Sequence, residues 1–250
     1  MTDWQTVVRS VRGRAPLVHC ISATVSMGLV ADGLLAAGAR PMMTETLGEA
    51  PAMTAVADAL LVGFGTLSTD AVDGIPPTVD AAIAAGHPWV LDPTAIGVPP
   101  VRTAMARGLV AKGPTVVRCN ASECLALAQT GPGGRGADAT ASVDEAADAA
   151  AALARRWGSI VAVSGVSDLV TDGATAVRID GGSPLLPRVT GTGCLLGALT
   201  AASCVVAEPL HAAVAAATWL KRASEVAETR AAGPGTFRTH LKDALDEVGR

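Results

Sequence analysis

The chain has 250 residues, half of them apolar, and a formal net charge of −4. With no basic block, four Trp, two Phe and no Tyr, it lacks the cationic surface and stacking rings of extended nucleic-acid binding. Its longest apolar stretch, at 194–207, is too short to span a bilayer, and its first residues lack a signal-peptide pattern. Five cysteines without a CxxC pair indicate reduced thiols. These features predict a cytoplasmic protein with no nucleic-acid or membrane partner.

Short apolar runs alternate with alanine-rich segments of helical length along most of the chain. We predict strands at 17–21, 59–63, 89–91, 115–118, 160–164 and 168–171. We predict helices at 24–37, 70–85, 101–112, 121–129, 143–157, 192–206, 210–231 and 238–248.

This alternation favours an α/β fold. Apolar strands separated by helices indicate a mainly parallel central sheet that helices cover on both faces. Turns at Asp172-Gly173 and Gly181-Gly182 indicate a short antiparallel edge after residue 168. Because no linker interrupts the pattern, we expect a single domain over residues 1–250.

Residues 190–194 read TGTGC, and the apolar run LLGAL follows them. The pattern predicts a glycine turn that opens a helix, whose first N–H groups have no partner within the helix. Thr192 and Gly193 are therefore candidates for binding the phosphates of ATP. Cys194 would lie beside them, where a kinase handles the acceptor hydroxyl. An ordinary glycine-rich turn fits the same letters.

Polar residues follow two predicted strands, at the edge where parallel sheets bind ligands. Asp92 follows the strand at 89–91, and its carboxylate suits Mg²⁺; the alternative is a turn that begins at an Asp-Pro pair. Arg118 ends the next predicted strand and suits phosphate; the alternative is a solvated strand end. Asn120 and Glu123 fit a hydrated Mg²⁺, the capping box of a helix, or both.

Eight blocks, in order and from nearly end to end, make the chain resemble the hydroxyethylthiazole kinase family, which has a ribokinase-like fold. They are PLVHC at 16–20, GLLAAGA at 33–39, GTL at 65–67, LDP at 91–93, NASE at 120–123, VTDG at 170–173, TGTGC at 190–194 and GPGTF at 233–237. Cysteine at the end of the TGTGC block is specific, since most ribokinase-like kinases have aspartate there.

The resemblance implies ATP-dependent phosphorylation of the primary alcohol of 4-methyl-5-(2-hydroxyethyl)thiazole in thiamine salvage. It also implies a homotrimer with active sites at the subunit boundaries. Residue by residue, it assigns Arg118 and Ser164 to ATP, Met43 and Gly191 to the thiazole alcohol, Asp92 and Glu123 to Mg²⁺, and Cys194 to the catalytic position beside the acceptor hydroxyl.

Four positions depart from the family pattern, of which Asp32, in place of the more usual asparagine, lies in the middle of a predicted helix. Ala23 stands where the family usually has asparagine, near the substrate, so an amide donor and acceptor are missing. Cys119 replaces a glycine beside Arg118, and its Cβ needs room. Ser164 replaces a threonine.

Other functions remain open at this stage. One is a kinase of another small heterocyclic alcohol, of the hydroxymethylpyrimidine type, although such enzymes favour aspartate at the Cys194 position. Another is a dehydratase for hydrated nicotinamide cofactors on the same fold, and a third is a nucleotide-binding protein without turnover. For Cys194 itself, we expect a positioning group more than a strong base, because phosphoryl transfer requires little of a base.

Overall fold

The computed structural model describes residues 3–136 and 138–250, so residues 1, 2 and 137 of the predicted domain lie outside the described part. The strands are β1 (Leu17–Ile21), β2 (Arg40–Met42), β3 (Ala59–Gly63), β4 (Trp89–Asp92), β5 (Val116–Asn120), β6 (Ile160–Ser164), β7 (Asp168–Thr171) and β8 (Ala176–Ile179). The helices are α1 (Trp4–Arg14), α2 (Met27–Ala36), α3 (Ala50–Val56), α4 (Thr69–Ala85), α5 (Pro100–Val110), α6 (Ala121–Leu127), α7 (Val143–Trp157), α8 (Thr192–Cys204), α9 (Pro209–Arg230) and α10 (Pro234–Val248).

In the described residues these strands form one eight-stranded sheet, in the order β2-β1-β3-β4-β5-β6-β7-β8. Strands β1 to β6 run parallel to one another, whereas β7 and β8 are antiparallel to their neighbours. The predicted mainly parallel sheet with a short antiparallel edge is confirmed.

Helices cover both faces of the sheet, as predicted. On one face, apolar side chains of the sheet pack with those of α1, α2, α8, α9 and α10. On the other face they pack with α4, α5, α6 and α7. Both faces of the parallel strands are therefore buried, which explains why these strands read as continuous apolar runs rather than alternating ones.

Elements α1, β2 and α3 were not predicted, and β8 was covered only by the expected antiparallel edge, without bounds of its own. Strand β2 has three residues, one of them Pro41, and lies at the edge of the sheet, where a missing N–H is tolerated. Helix α3 has seven residues, too few to show helical periodicity. Helix α10 begins at Pro234 rather than at 238, because proline is favoured at the first position of a helix.

The strand order reverses between β1 and β3, because the chain passes from β1 to β2 on one side and returns to β3 on the other. In open α/β sheets such a reversal leaves a crevice at the carboxyl ends of the strands, where ligands bind. None of the helices in the described part of the chain combines the length and hydropathy needed to cross a membrane.

Candidate active site

The side chain of Arg118 joins the carboxyl ends of three neighbouring strands. It lies on β5, and its Nη1 is 3.3 Å from Oδ2 of Asp92, the last residue of β4. Its Nη2 donates a hydrogen bond of 2.7 Å to Oγ of Ser164, the last residue of β6. Register explains the contacts, since parallel strands end at the same edge of the sheet.

One hydrogen-bond donor of the Arg118 guanidinium has no acceptor at this edge of the sheet. Its Nε is buried without a hydrogen-bond partner. Burial would lower the pKa of the guanidinium, but the charges of Asp92 and Glu123 outweigh burial and raise that pKa, so the group stays cationic. A buried cation with an unused donor suits an incoming anion.

Asp92 is fully buried at the end of β4. One carboxylate oxygen faces Arg118, and the other accepts a hydrogen bond of 2.9 Å from the hydroxyl of Thr94. The Asp92-Pro93 pair does end the strand, as the turn interpretation requires. However, a turn-initiating aspartate is normally exposed, and burial beside a guanidinium is instead typical of functional carboxylates.

Glu123 forms the predicted capping box of α6. Its Oε2 accepts from the backbone N–H of Asn120 at 2.8 Å, and Oδ1 of Asn120 accepts from the N–H of Glu123 at 2.9 Å. Its other oxygen, Oε1, accepts from the N–H of Ala95 at 2.7 Å, in the loop that follows β4. Glu123 therefore fixes the loop beside Asp92 as well as the helix.

The environment of Glu123 disfavours its charge. Burial, helped by the nearby charge of Asp92, raises the pKa of Glu123 to about 7 against the opposing backbone hydrogen bonds and the charge of Arg118. Two carboxylates thus lie close together out of water, and a cation between them would relieve the repulsion.

The residues present fit such a cation. Mg²⁺ usually keeps several waters and takes one or two carboxylates together with the phosphates of a nucleotide. Asp92 and Glu123 offer this number of carboxylates. Among residues 3–136 and 138–250, no group of three or more His, Cys, Asp or Glu side chains could hold a metal by itself, so the nucleotide would have to complete the coordination.

The first turn of α8 lies directly against Arg118. Gly191 precedes the helix with φ +96°, and a Cβ there would come within 2.8 Å of the Cβ of Ser26. A Cβ on Gly193 would come within 2.6 Å of Nη1 of Arg118. Both glycines are thus required by close approach, and they bring the outward N–H groups of α8 next to the guanidinium. This pairing favours the anion-site interpretation of the turn over an ordinary turn.

Cys194 lies in the same turn and is half-buried. Burial raises the pKa of its thiol, and the charge of Asp92 raises it further, although hydrogen-bonding contact with Ser26 and Ser22 acts in the opposite direction. The thiol is therefore neutral at neutral pH, which agrees with the expectation of a positioning group rather than a strong base.

Met43 and Ala23 lie on the β1–β2 side of the crevice. Met43 follows β2, the strand next to β1, and its side chain packs against the core that contains α8. Ala23 follows β1 and is buried, and its Cβ lies so close to Gly65 that a Cβ at position 65 would come within 2.2 Å of it. Its carbonyl accepts from the hydroxyl of Ser26, which in turn contacts Gly191.

The side chain of Cys119, the residue after Arg118 on β5, is accommodated in the buried core. It is the residue before the Asn120 cap, and Cys124 is the fourth residue of α6, so the two side chains occupy the positions of a hydrophobic staple. A hydrogen bond with Cys124, together with burial, raises the pKa of Cys119 well above its usual range. Both are buried thiols that pack the base of the site.

Sequence reasoning missed four side chains of this region: Thr94 at Asp92, Ser22 and Ser26 at Cys194, and Lys221. The three hydroxyls follow strand ends, a position that could have marked them. Lys221 had a weaker signal, because Arg222 directly follows it and Glu225 comes soon after, so the sequence alone did not set this cation apart.

A family model described as the hydroxyethylthiazole kinase family matches residues 8–250. The hydroxyethylthiazole kinase of Cronobacter sakazakii is 46% identical over 240 residues, covering 96% of this chain and 91% of that protein. The solved hydroxyethylthiazole kinase of Pyrococcus horikoshii superposes with a TM-score of 0.91 at 34% identity and covers 100% of this chain and 95% of its own.

A more distant solved structure supports the ribokinase-like fold. It is the pyridoxal kinase of Staphylococcus aureus in complex with ADP, with a TM-score of 0.65 and 20% identity, covering 84% of this chain and 88% of its own. At this identity the likeness concerns the fold. The family-model match and the close relatives decide the membership: this chain belongs to the hydroxyethylthiazole kinase family.

Proposed function

We propose that this protein transfers the γ-phosphoryl group of ATP to the primary alcohol of 4-methyl-5-(2-hydroxyethyl)thiazole, in thiamine salvage. Its membership of the hydroxyethylthiazole kinase family supports both the reaction and the acceptor. The observation in the structure that carries the proposal is the guanidinium of Arg118, which lies against the start of α8 and between the ends of β4 and β6.

The phosphates of ATP are assigned to Arg118, Ser164 and the N–H groups of Thr192 and Gly193. Arg118 supplies an unused Nε donor and a permanent charge. The start of α8 supplies further donors and the positive end of the helix dipole. In the transition state, charge spreads over the oxygens of the transferring group, and donors fixed in advance stabilise it.

Mg²⁺ is assigned to Asp92 and Glu123, through water or directly, and when bound it neutralises charge on the phosphates. Asp92 is also within reach of Arg118, so it orients the guanidinium toward the phosphates. The carboxylate of Glu123 is used differently from that of Asp92, because both of its oxygens accept hydrogen bonds from backbone N–H groups. Glu123 therefore acts mainly by keeping the β4–α5 loop and α6 in place.

In the reaction, a bond forms between the alcohol oxygen and the γ-phosphorus while the bond from that phosphorus to the β,γ-bridging oxygen breaks. The electron pair of the broken bond leaves with ADP, and the alcohol proton passes to a phosphate oxygen or to water. Gly191 and Met43 are assigned to the thiazole alcohol, and a polarisable methionine suits a sulfur heterocycle. The neutral thiol of Cys194 orients the hydroxyl.

We propose further that the whole chain is one kinase domain that assembles as a homotrimer, with active sites at the subunit boundaries. Exposed apolar side chains at the crevice support this: Val25, beside Ser26, is 66% exposed, and Leu47, in the loop after Met43, is 55% exposed. Sedimentation equilibrium tests the assembly.

A location in the cytoplasm belongs to the same proposal and is supported by five cysteines that are all free thiols.

ADP release across a small panel of acceptors tests the proposed reaction. The panel contains the thiazole alcohol, a hydroxymethylpyrimidine and a hydrated nicotinamide cofactor. We expect the thiazole alcohol to give the highest kcat/KM, despite Ala23. Preference for the pyrimidine would mean a different acceptor alcohol, and turnover of the hydrated cofactor would replace the kinase with a dehydratase.

A further inference from the structure

Lys221 is a buried cation at the back of the nucleotide side of the crevice. Lys221 is 5% exposed and lies in the middle of α9. Its Nζ donates to the carbonyl oxygens of Val166 and Gly181, each at 3.0 Å, and to that of Gly165 at 3.4 Å. The carboxylate of Asp168 lies 3.4 Å from the same nitrogen. Four oxygens thus surround one ammonium.

Such a group is not needed to pack the helix. Taking an ammonium out of water is costly even when it is paired, and an apolar side chain of the same length would fill the space without that cost. The buried residues that precede it in α9 are apolar, Trp219 and Leu220 among them, and the buried polar residue that follows, Ser224, is hydrogen-bonded. The charge at position 221 therefore points to a task other than filling the core.

The first segment bound to Lys221 is the β6–β7 loop, residues 165–167, which directly follows Ser164. Val166 at its tip is 94% exposed, so the loop buries little apolar surface of its own. The position of the loop depends instead on hydrogen bonds to α9 and β7. Its carbonyls accept from Lys221, and the N–H of Gly165 donates to Asp168 at 2.8 Å.

The second segment is residues 181–183, between β8 and α8. Gly181 and Gly182 have φ values of +94° and +90°, and a Cβ on Gly182 would come within 3.0 Å of the Cγ of Lys221. Its N–H groups are also fixed by α9, since Gly182 donates to Glu225 and Ser183 donates to Ser224. The chain continues from here to the glycine turn at the start of α8.

One of these two segments is continuous with the group assigned to ATP. The β6–β7 loop directly follows Ser164, whose hydroxyl accepts from Arg118. Burial raises the pKa of Asp168, and the charges of Lys221 and Arg118 both oppose that rise, so the buried pair is electrostatically coupled to the site cation.

We propose that Lys221 is a positioning residue for nucleotide binding. Its ammonium, held with Asp168, ties the loop after Ser164 to the segment that leads into α8, so that the donors on both are in place before ATP arrives. This rests on the proposed function only in that ATP is taken to bind at Arg118 and Ser164. The alcohol side of the crevice, at β1 and β2, is on the opposite side of the sheet order from β6 and β7.

The test is the Lys221→Met variant, which keeps an unbranched side chain only one atom shorter than lysine and removes its charge. We expect the KM for ATP and the Kd for a non-hydrolysable ATP analogue, measured by calorimetry, to rise about tenfold, as expected for charge-assisted hydrogen bonds lost around a binding site. The KM for the thiazole alcohol should stay within about twofold, since preorganisation is lost on the nucleotide side alone. The matched control is Lys242→Met, which removes a lysine paired with Asp32 on the surface and should change neither constant.

A folded Lys221→Met protein with wild-type affinity for the analogue would overturn the inference, as would an equal rise in both KM values, which a purely structural role predicts. If Lys221→Met does not fold, the Asp168→Asn variant tests the role of Lys221 instead. It keeps the carbonyl cage and removes the carboxylate, and we expect a smaller rise in the KM and Kd for the nucleotide alone; unchanged constants would overturn the inference. A wild type that binds the analogue but phosphorylates no thiazole alcohol would contradict the proposed function, while the affinity measurements would still decide the role of Lys221.

Discussion

Arg118 and Gly193 lie so close together that a methyl group on Gly193 would come within 2.6 Å of Nη1 of the guanidinium. The contact brings a fixed positive charge to the first turn of α8, whose first N–H groups have no partner within the helix. Gly193 is thus required by the close approach of the arginine rather than by its own backbone, since its φ lies outside the left-handed region.

Gly193→Ala should therefore weaken nucleotide binding. The added Cβ must displace the guanidinium from Asp92 and Ser164, so we expect the KM for ATP to rise about tenfold or more, which corresponds to about 1.4 kcal/mol. Steady-state kinetics at saturating alcohol measure it. Gly108→Ala is the control, because no atom lies within 4 Å of the Cβ built there; within α5 it should leave activity unchanged. A Gly193→Ala protein with the wild-type KM for ATP would show that Arg118 does not need this position.

Asp92→Asn should lower kcat by at least about a hundredfold while the protein remains folded, because it removes charge stabilisation of several kcal/mol at the phosphates. Loss of a charged partner of a buried guanidinium also lowers stability. Circular dichroism and thermal unfolding must therefore accompany the kinetics. Asp32→Asn, at a surface pair, is the matched control. Near-normal turnover by a folded Asp92→Asn protein would refute the assignment of Asp92 to the metal and to Arg118.

Glu123 gives the stability of the metal-free protein a defined pH dependence. Its pKa in the folded protein is about 7, raised by burial above the ordinary value of 4.5. The folded state therefore binds more protons than the unfolded state between these two values, and the contribution of this group to the free energy of unfolding falls as pH rises from 4.5 to 7. The cost of the buried charge is fully present above pH 7.

The measurement is urea unfolding of the wild type and Glu123→Gln at a series of pH values, with a chelator present. Glutamine resembles the protonated acid and does not titrate, so the wild type should lose stability relative to this variant as pH rises from about 4.5 to 7. Parallel profiles would show that Glu123 has an ordinary pKa. Glu123→Ala removes the cap as well and should lose about a further 1 kcal/mol at every pH.

Cys194→Ala should cause a partial loss of turnover, near the lower end of the ~10²–10⁴-fold range of a general base. The N–H groups of the turn remain in that variant and still stabilise the transferring group. Cys194→Asp installs the residue of related kinases and should keep or raise kcat. A fully active alanine variant, together with an inactive aspartate variant that still binds ATP, would show that Cys194 does not orient the acceptor hydroxyl.

The sequence predicted the parallel sheet and most of its helices because buried strands are continuous apolar runs and the helices are long. It also placed Asp92, Arg118 and Ser164 near the carboxyl ends of three strands, where the structure brings them into contact, although β5 does not end at Arg118 as predicted but continues to Asn120. The contact of Arg118 with Gly193 was not foreseen, since it depends on how α8 packs across the sheet. Nor was the proposed task of Lys221, whose four oxygen neighbours all lie at least 40 residues before it in the sequence.

Glu123 shows why two interpretations of one pattern need not compete. The spacing from Asn120 predicted both a capping box and a metal carboxylate, and the capping box is confirmed. The bond from Ala95 could not be read from sequence, because it crosses from the loop after β4 to α6. It is this bond that joins the cap to the loop beside Asp92.

A phosphorus NMR spectrum of the purified protein with Mg²⁺, ATP and the thiazole alcohol tests the central claim most directly. The account predicts that the γ-phosphorus signal of ATP is replaced by a phosphate monoester of the thiazole alcohol, in step with the appearance of ADP, and that Asp92→Asn slows both together. Release of the γ-phosphoryl group only as inorganic phosphate, or no consumption of ATP with this alcohol, would contradict it.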